Sequence, residues 1–321
     1  MKDSSASTIL LATDFSESAG LAQLYAGYLA VALKASVVLL HVSEHRPAAE
    51  AALRDETAVR TKLQTLQDSL GARAIPASIR LSRGNPGEQI VSAAREFNAD
   101  FIAIGAQGHT DVRYGLIGAT VNAVTTNGPC PVLAVPLPHK AASPCLLGAP
   151  DAVKVRRILA PVDFSVPSLD SLDCAIYLAG RLSSDLVLLH VLEPVHADWD
   201  LHRTQGSAQM RAEWESRLGD VSALIRSSGS SVTYDVRPGC PADSILAGAL
   251  QHHCDLIVMG THGRRGRDAM NVGSVAEAVL KQGTCPIMTV RIPKGVPGGR
   301  SAIRGVLSPG SHLAASSDRP S

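Results

Sequence analysis

The sequence predicts an α/β protein made of two tandem doubly wound domains, each a five-stranded parallel sheet with helices on both faces. Three observations lead to this prediction. The 321 residues suit two domains of about 150 residues each. The second half repeats the motifs of the first half in the same order. Short apolar runs alternate with stretches of helical period, which is typical of strands joined by crossover helices.

The internal repeat consists of four segments that recur in the same order. Residues 9–16, ILLATDFS, return 149 positions later as residues 158–165, ILAPVDFS. The segments 37–42, 100–105 and 128–132 return at 186–191, 255–260 and 283–287, and the offset has by then grown to 155. We therefore expect an insertion in the second copy near residues 196–206. The expected division is a first domain at 1–138, a linker at 139–152, a second domain at 153–295 and a disordered tail at 296–321.

The expected strands are short aliphatic runs. Residues 37–40 and 101–104 are apolar throughout, which indicates parallel strands covered by helices on both faces. The strands of the first copy are expected near Ile9, Val37, Ile75, Ile102 and Val132, and those of the second near Ile158, Val187, Val232, Ile257 and Ile287.

Two helices of each copy are predicted from apolar residues that share one face. In the first copy these residues are Leu21, Leu24, Tyr28 and Leu29, then Val59, Leu63, Leu66 and Leu70. In the second copy they are Leu172, Ala175, Ile176 and Ala179, then Met210, Trp214, Leu218, Val221 and Ile225. Doubly wound sheets bind ligands beyond the carboxyl ends of the strands, where the strand order reverses. The residues that follow the strands are therefore the first candidates for a site.

Composition and charge argue against several functional classes. Lys and Arg number 30 against 29 Asp and Glu, so a formal charge of +1 provides no basic field for nucleic acid or an anionic membrane. Aromatic residues make up 3% of the chain, too few for the stacking platforms of single-strand binders. The chain has no run of 18 apolar residues and does not start with an export signal, so we expect a cytoplasmic protein. Its six cysteines form no C-x-x-C pair and are expected to be free thiols.

A long glycine motif follows strand four of the second copy. Gly260-Thr261-His262-Gly263 is followed by nine residues and then by Gly273-Ser274, which opens an Ala- and Val-rich helix. Glycines allow close backbone approach and positive φ, and a helix start presents free N–H groups, so the motif suits an anion such as phosphate. A purely conformational role for these glycines stays open. The motif lacks the Gly-Lys-Ser/Thr ending of a P-loop and the spacing and position of a dinucleotide fingerprint.

The motifs together resemble those of the universal stress protein family, in tandem and in its ATP-binding branch. They are an Asp after strand one, His-Val closing strand two, the long glycine motif, and Cys-Pro before strand five. The resemblance implies an adenine-nucleotide α-hydrolase-like fold. It also implies that residues 132–135 and 287–290 pair as an intramolecular pseudo-dimer; a further association of two chains into a homodimer stays open.

The resemblance also implies which residues bind ATP, with or without Mg²⁺, or ADP. In the second copy they are Val162, Asp163 and Val191 for the base and ribose, and Met259, Gly260, Gly263, Gly273, Ser274 and Val275 for the ribose and phosphates. In the first copy the matching residues are Asp14, Val42, Gly105, Gly108 and Gly118. Ala119 stands in the first copy where Ser274 stands in the second, and His109 stands in place of Arg264. We therefore expect the second copy to bind nucleotide more tightly.

Simpler roles and other functions remain as alternatives. Asp14 and Asp163 are also suited to turns before a helix, with Ser16 and Ser165 as caps. The leading function is a nucleotide-binding stress-response or regulatory protein. The alternatives are a weak ATPase or phosphotransferase, and a nucleotide-free scaffold that binds another small ligand or a metal. No catalytic residue is assigned, because no spacing singles out His262 or Asp268. No metal site is assigned either, because His190, His196, His202 and residues 252–255 lack metal-site spacing.

Overall fold

The computed structural model describes residues 7–43, 49–107, 118–137, 153–193, 203–262 and 272–291. The elements of the first copy are β1 (Thr8–Ala12), α1 (Glu17–Leu33), β2 (Ser36–Ser43), α2 (Ala49–Gly71), β3 (Ala77–Arg83), α3 (Pro86–Glu96), β4 (Phe101–Gly105), α4 (Ala119–Asn127) and β5 (Val132–Val135). The elements of the second copy are β6 (Arg157–Pro161), α5 (Val166–Leu182), β7 (Asp185–Leu192), α6 (Arg203–Ser227), β8 (Val232–Pro238), α7 (Pro241–Gln251), β9 (Leu256–Gly260), α8 (Ser274–Gln282) and β10 (Ile287–Val290).

All ten of these strands join one sheet, in the order β3-β2-β1-β4-β5-β10-β9-β6-β7-β8. Neighbouring strands run parallel within each copy. The two copies meet at β5 and β10, which are antiparallel, with Met288 opposite Leu133 and Thr289 opposite Val132. Two doubly wound units are therefore confirmed, and their fifth strands pair as predicted.

Both faces of the sheet are buried under helices. Successive residues of one strand enter different cores: Leu11 packs in the core under α1, α2, α5 and α6, whereas Leu10 packs in the core under α3, α4, α7 and α8. Both leucines have no exposed surface. This two-sided burial explains why the strands lack the alternation of polar and apolar residues seen in half-exposed sheets.

Two details differ from the sequence expectations. Ile75 is buried but precedes β3; its N–H donates to the Leu70 carbonyl, and the strand begins only after Pro76. Met210 was expected on the buried face of α6 but is exposed, whereas Leu218, Val221 and Ile225 are buried there. The expected linker and tail lie outside the described residues. Among the helices of the described ranges, none has the length and apolar composition needed to cross a membrane.

Candidate functional site

The strand order reverses between β1 and β4 in the first copy and between β6 and β9 in the second. The second-copy candidates gather at this point. Val162 and Asp163 follow β6, Val191 lies near the end of β7, and Met259 and Gly260 end β9. Gly273 donates its N–H to the Thr261 carbonyl at 2.8 Å, which brings the start of α8, with Ser274 and Val275, against the end of β9. Gly263 lies outside the described residues.

The first-copy candidates occupy the equivalent positions. Asp14 follows β1, Val42 lies near the end of β2, Gly105 ends β4 and Gly118 precedes α4. Gly108 lies outside the described residues, as do His109, Arg264 and Asp268.

Each candidate aspartate forms a tight turn into the following helix. The Oδ1 atom of Asp163 accepts the N–H of Ser165 at 2.9 Å, and Asp14 accepts the N–H of Ser16 at the same distance. The serine in turn is the N-cap of the helix, α5 or α1. The predicted turn and cap roles are therefore confirmed. A carboxylate has about four acceptor positions, and the turn bond fixes the direction of the group.

The residue after each aspartate has a left-handed backbone. Phe15 has φ 64° and Phe164 has φ 61°. A non-glycine residue rarely adopts this region, and doing so costs about 1–2 kcal/mol. The two turns are thus held by contacts elsewhere in the molecule.

The glycines at the strand ends are required by close packing. A Cβ atom at Gly260 would lie 2.9 Å from the Pro167 carbonyl oxygen of α5, and one at Gly105 would lie 2.7 Å from the Ala19 nitrogen of α1. A Cβ atom at Gly273 would lie 2.9 Å from the Thr261 carbonyl oxygen. Gly118 and Gly273 have φ −57° and −64°, so neither uses the positive φ that glycine allows. Because glycine has no Cβ atom, the helix starts can lie close to the strand ends at these positions.

The start of α8 carries hydrogen-bond donors at the carboxyl end of β9. Gly273 is the N-cap of α8 and makes no side-chain cap bond, and the Ser274 hydroxyl is exposed in the first turn. The first N–H groups of an α-helix have no partner within the helix and carry its positive dipole end. Val162 and Met259, by contrast, are 3% and 5% exposed, so their side chains belong to the two cores.

The first copy ties the end of β4 to its surroundings through Gln107. The Ser18 hydroxyl donates to the Gln107 carbonyl, and the Gln107 Oε1 atom accepts the N–H of Leu137 at 3.0 Å. Pro167 stands at the position of Ser18 in the second copy and has no hydroxyl, while His262 stands at that of Gln107. Sequence reasoning missed this difference, although the change from Ser18 to Pro167 is visible in the repeat.

An aromatic stack lies beside the Asp163 turn, formed by Phe164, His190, Trp214 and Arg217. The ring centroids of His190 and Trp214 are 4.1 Å apart, and those of Phe164 and Trp214 are 5.4 Å apart. The Arg217 guanidinium lies 4.7 Å from the Phe164 centroid and 4.9 Å from that of Trp214. His190 donates from Nδ1 to the Val162 carbonyl at 2.7 Å. The stack therefore contacts the chain on both sides of Asp163.

The histidines and cysteines of the described residues show no metal site. Within the described part of the chain, no group of three or more His, Cys, Asp or Glu side chains could hold a metal ion. His196 and His202 lie outside that part. Burial raises the pKa values of Cys174, Cys254 and Cys285 to about 12, so these thiols stay protonated. Such buried thiols are unreactive, and all three are free, as the sequence predicts.

The fold and the two strand-end sites define a class of protein: a tandem doubly wound α/β protein with an aspartate turn and a glycine-bounded helix start in each copy. The sequence profile of the universal stress protein family matches residues 6–136 and 154–291. The chain belongs to this family, with two copies of its domain.

Individual relatives agree with this assignment. A universal stress protein of Methanocaldococcus jannaschii is 30% identical over 146 residues, which is 43% of this chain and 84% of that protein. A universal stress protein of Mycolicibacterium smegmatis is 26% identical over 248 residues, 73% of this chain and 76% of that protein. The crystal structure of a universal stress protein from Archaeoglobus fulgidus has a TM-score of 0.68 at 21% identity and covers 90% of this chain and 97% of its own. That structure supports the fold.

Proposed function

We propose that this universal stress protein is a regulatory protein that binds ATP, with or without Mg²⁺, or ADP, chiefly at the strand-end site of its second copy. The observation that carries the proposal is the start of α8. The Gly273 N–H donates to the carbonyl of Thr261 at 2.8 Å, so this helix begins, without a side-chain cap, just beyond the end of β9. Strand β9 is the neighbour of β6, which leads into Asp163. Donors and a carboxylate thus lie at adjoining strand ends.

The chemistry of these groups matches the two ends of a nucleotide. Helix N–H groups and the Ser274 hydroxyl are donors, which suits phosphate oxygens. The Asp163 carboxylate is an acceptor, which suits ribose hydroxyls or the exocyclic amine of a base. Val162 and Met259 would line the site from the strand ends, since their side chains are buried in the cores. Val191 and Val275 are partly exposed and would supply apolar contacts.

Two differences favour the second copy over the first. Ala119 takes the place of Ser274, and the loss of one hydrogen bond costs about 0.5–1.5 kcal/mol. The Ser18 and Leu137 bonds also hold the Gln107 segment at the corresponding strand end of the first copy. In our proposal the first copy is mainly structural and the second binds nucleotide.

We also propose the division of the chain and its location. The proposed bounds are 1–138 and 153–295 for the domains, with a linker at 139–152 and a tail at 296–321. A cytoplasmic location is supported by the five described cysteines, all of which are free thiols.

The proposal is tested by titrating ATP and Mg²⁺ into nucleotide-stripped full-length protein by calorimetry. We expect Gly273→Val to weaken binding by about tenfold or more, because its side chain would collide with the Thr261 carbonyl. Ser274→Ala should weaken it by about two- to tenfold through the loss of one donor.

The matched control is Gly118→Val, the same change at the equivalent position of the first copy. It should leave the measured affinity within about twofold of the wild type. Circular dichroism of each variant shows whether the fold is kept. Equal losses in Gly118→Val and Gly273→Val would contradict the assignment to the second copy, and unchanged binding in Gly273→Val and Ser274→Ala would contradict the site itself.

A further inference from the structure

We propose that Trp214 and Arg217 of α6 are positioning residues for the second-copy site, because they hold the Asp163 turn in place through the aromatic stack. This inference rests on the proposed function, since it concerns the residue that would bind the base or ribose end of the nucleotide. Neither side chain needs to touch the ligand for this role. Helix α6 would thereby set how firmly the site is formed.

The Asp163 turn depends on a backbone conformation that must be held. Phe164 has φ 61°, a region that few non-glycine residues adopt. This conformation places the Ser165 nitrogen 2.9 Å from the Asp163 Oδ1 atom, so that its N–H can donate to the carboxylate. If Phe164 relaxed to the extended region, that bond would break and the carboxylate would lose its fixed direction.

The aromatic stack holds the chain on both sides of Asp163. After the aspartate, the Phe164 ring packs on Trp214 and lies under the Arg217 guanidinium. Before it, the Val162 carbonyl accepts from His190, whose ring stacks on Trp214 at 4.1 Å between centroids. Trp214 therefore contacts both Phe164, which follows Asp163, and His190, which bonds to the residue before Asp163.

The first copy has the same turn with a weaker support. Phe15 has φ 64° and stacks on His41 with 5.0 Å between the ring centroids, but Val59 stands at the position of Trp214. Lys62 replaces Arg217 and lies 5.0 Å from the Phe15 centroid. A planar guanidinium stacks on aromatic faces better than an ammonium. The turn thus forms without tryptophan, and the added stack of the second copy makes it firmer.

The decisive experiment compares Trp214→Val, which installs the first-copy residue, with Trp214→Phe, which keeps an aromatic ring. Hydrogen exchange of the Ser165 amide reports the turn directly, without any nucleotide. We expect Trp214→Val to speed this exchange by about three- to tenfold, the range that an aromatic pair and a cation–π contact account for. Trp214→Phe should recover most of the protection, and Arg217→Ala should give a smaller acceleration. ATP affinity should fall in the same order.

Two controls separate the turn from the general stability of the protein. The Ser16 amide of the first copy makes the same bond to Asp14 and should exchange at an unchanged rate in every variant. Arg211→Ala removes another exposed α6 arginine, one that pairs with Glu215, and should change neither Ser165 exchange nor ATP affinity.

The outcomes distinguish this inference from the proposed function. Unchanged Ser165 exchange in both Trp214→Val and Arg217→Ala would overturn the positioning role, whatever happens to affinity. Faster exchange with unaltered ATP affinity would overturn the link between the turn and the site. A wild-type protein that binds no nucleotide would refute the proposed function, and Ser165 exchange alone would then decide whether Trp214 holds the turn. If Trp214→Val fails to fold, Trp214→Phe and Arg217→Ala carry the same test.

Discussion

Single glycines at the strand ends determine how closely the helices approach the site. Gly260 ends β9, and a Cβ atom there would lie 2.9 Å from the carbonyl oxygen and 3.2 Å from the Cβ atom of Pro167. Real Cβ atoms do not come so close to a backbone oxygen, so α5 would have to move. The start of α5 carries the Ser165 cap and follows the Asp163 turn. Gly260 therefore positions the aspartate indirectly.

Gly260→Ala should lower the free energy of unfolding by about 1–3 kcal/mol, the usual effect of adding a methylene group to a closely packed region. Urea denaturation measures this change. Gly180→Ala on α5 is the matched control, because nothing lies within 4 Å of its added Cβ atom and alanine favours a helix. That variant should gain about 0.5–1 kcal/mol. A Gly260→Ala protein as stable as the wild type would contradict the packing argument.

At the residue scale, the sequence predicted what is local in the chain. The Asp163 turn and the Ser165 cap lie within two positions of one another, and their types and spacing foretold their bonds. The bond between Ser18 and Gln107 joins residues 89 positions apart, so it follows only from the strand order. Trp214 was expected on an apolar helix face, but its stacking on His190 depends on how α6 is rotated against β7.

At the scale of elements, the end of α7 is clamped to the edge strand β8 by a charged cluster. His252, just after α7, donates from Nε2 to the Asp235 Oδ2 atom at 2.9 Å, and Arg237 donates to the same atom at 2.6 Å. Burial alone would raise the pKa of the Asp235 carboxyl, but the hydrogen bonds from His252 and Arg237 outweigh it and lower this pKa. The ionised form is thus the one that stabilises the fold.

This lowered pKa gives the clamp a defined pH dependence. Because the folded-state pKa lies below that of the unfolded chain, about 3.9, the contribution is fully present above about pH 4 and is lost as pH falls through the folded value. We expect Asp235→Asn to cost about 1 kcal/mol of unfolding free energy at pH 7. The difference from the wild type should shrink toward pH 3.

The control for the clamp is Asp185→Asn, which removes an exposed carboxylate 3.8 Å from Arg157. Such a surface pair contributes little, so this variant should stay within about 0.5 kcal/mol of the wild type at pH 7. Urea denaturation at several pH values supplies both comparisons. An Asp235→Asn difference that persisted undiminished at pH 3 would argue against ionic stabilisation by Asp235.

Most elements could be predicted because buried parallel strands are apolar without interruption. The third strand has a weaker signal, since β3 is at the edge of the sheet and its residues are partly buried or exposed. Ile75 is the apolar residue just before Pro76, and its N–H bonds to the carbonyl of Leu70 at the end of α2 rather than to a neighbouring strand. An edge strand has a weaker apolar signal than a central one, and so its start is harder to locate.

At the scale of the whole molecule, the repeat becomes a single ten-stranded sheet. The pattern of apolar residues indicates where the strands lie but not their order in the sheet. The pairing of β5 with β10 was predicted from the family resemblance, and the structure shows it. The junction is short and apolar: all residues of both strands are buried. The strand ends of both copies are thus carried by one continuous sheet.

The two copies have diverged within this shared architecture. The first retains the aspartate turn and the glycine at the strand end, but it lacks the Ser274 hydroxyl and the Trp214 stack, and its Gln107 segment is tied to Ser18 and Leu137. We infer a division of labour in which the first copy completes the sheet and the second responds to nucleotide. We therefore expect one nucleotide per chain.

The most direct test of this claim is the stoichiometry of bound nucleotide. Mass spectrometry of small molecules released from freshly purified protein identifies the ligand, and calorimetric titration of the stripped protein with ATP and Mg²⁺ counts the sites. We predict one ATP or ADP per chain, with no second equivalent at comparable affinity. Two equivalent sites per chain would contradict a single site in the second copy, and the absence of bound and titratable nucleotide would contradict nucleotide binding itself.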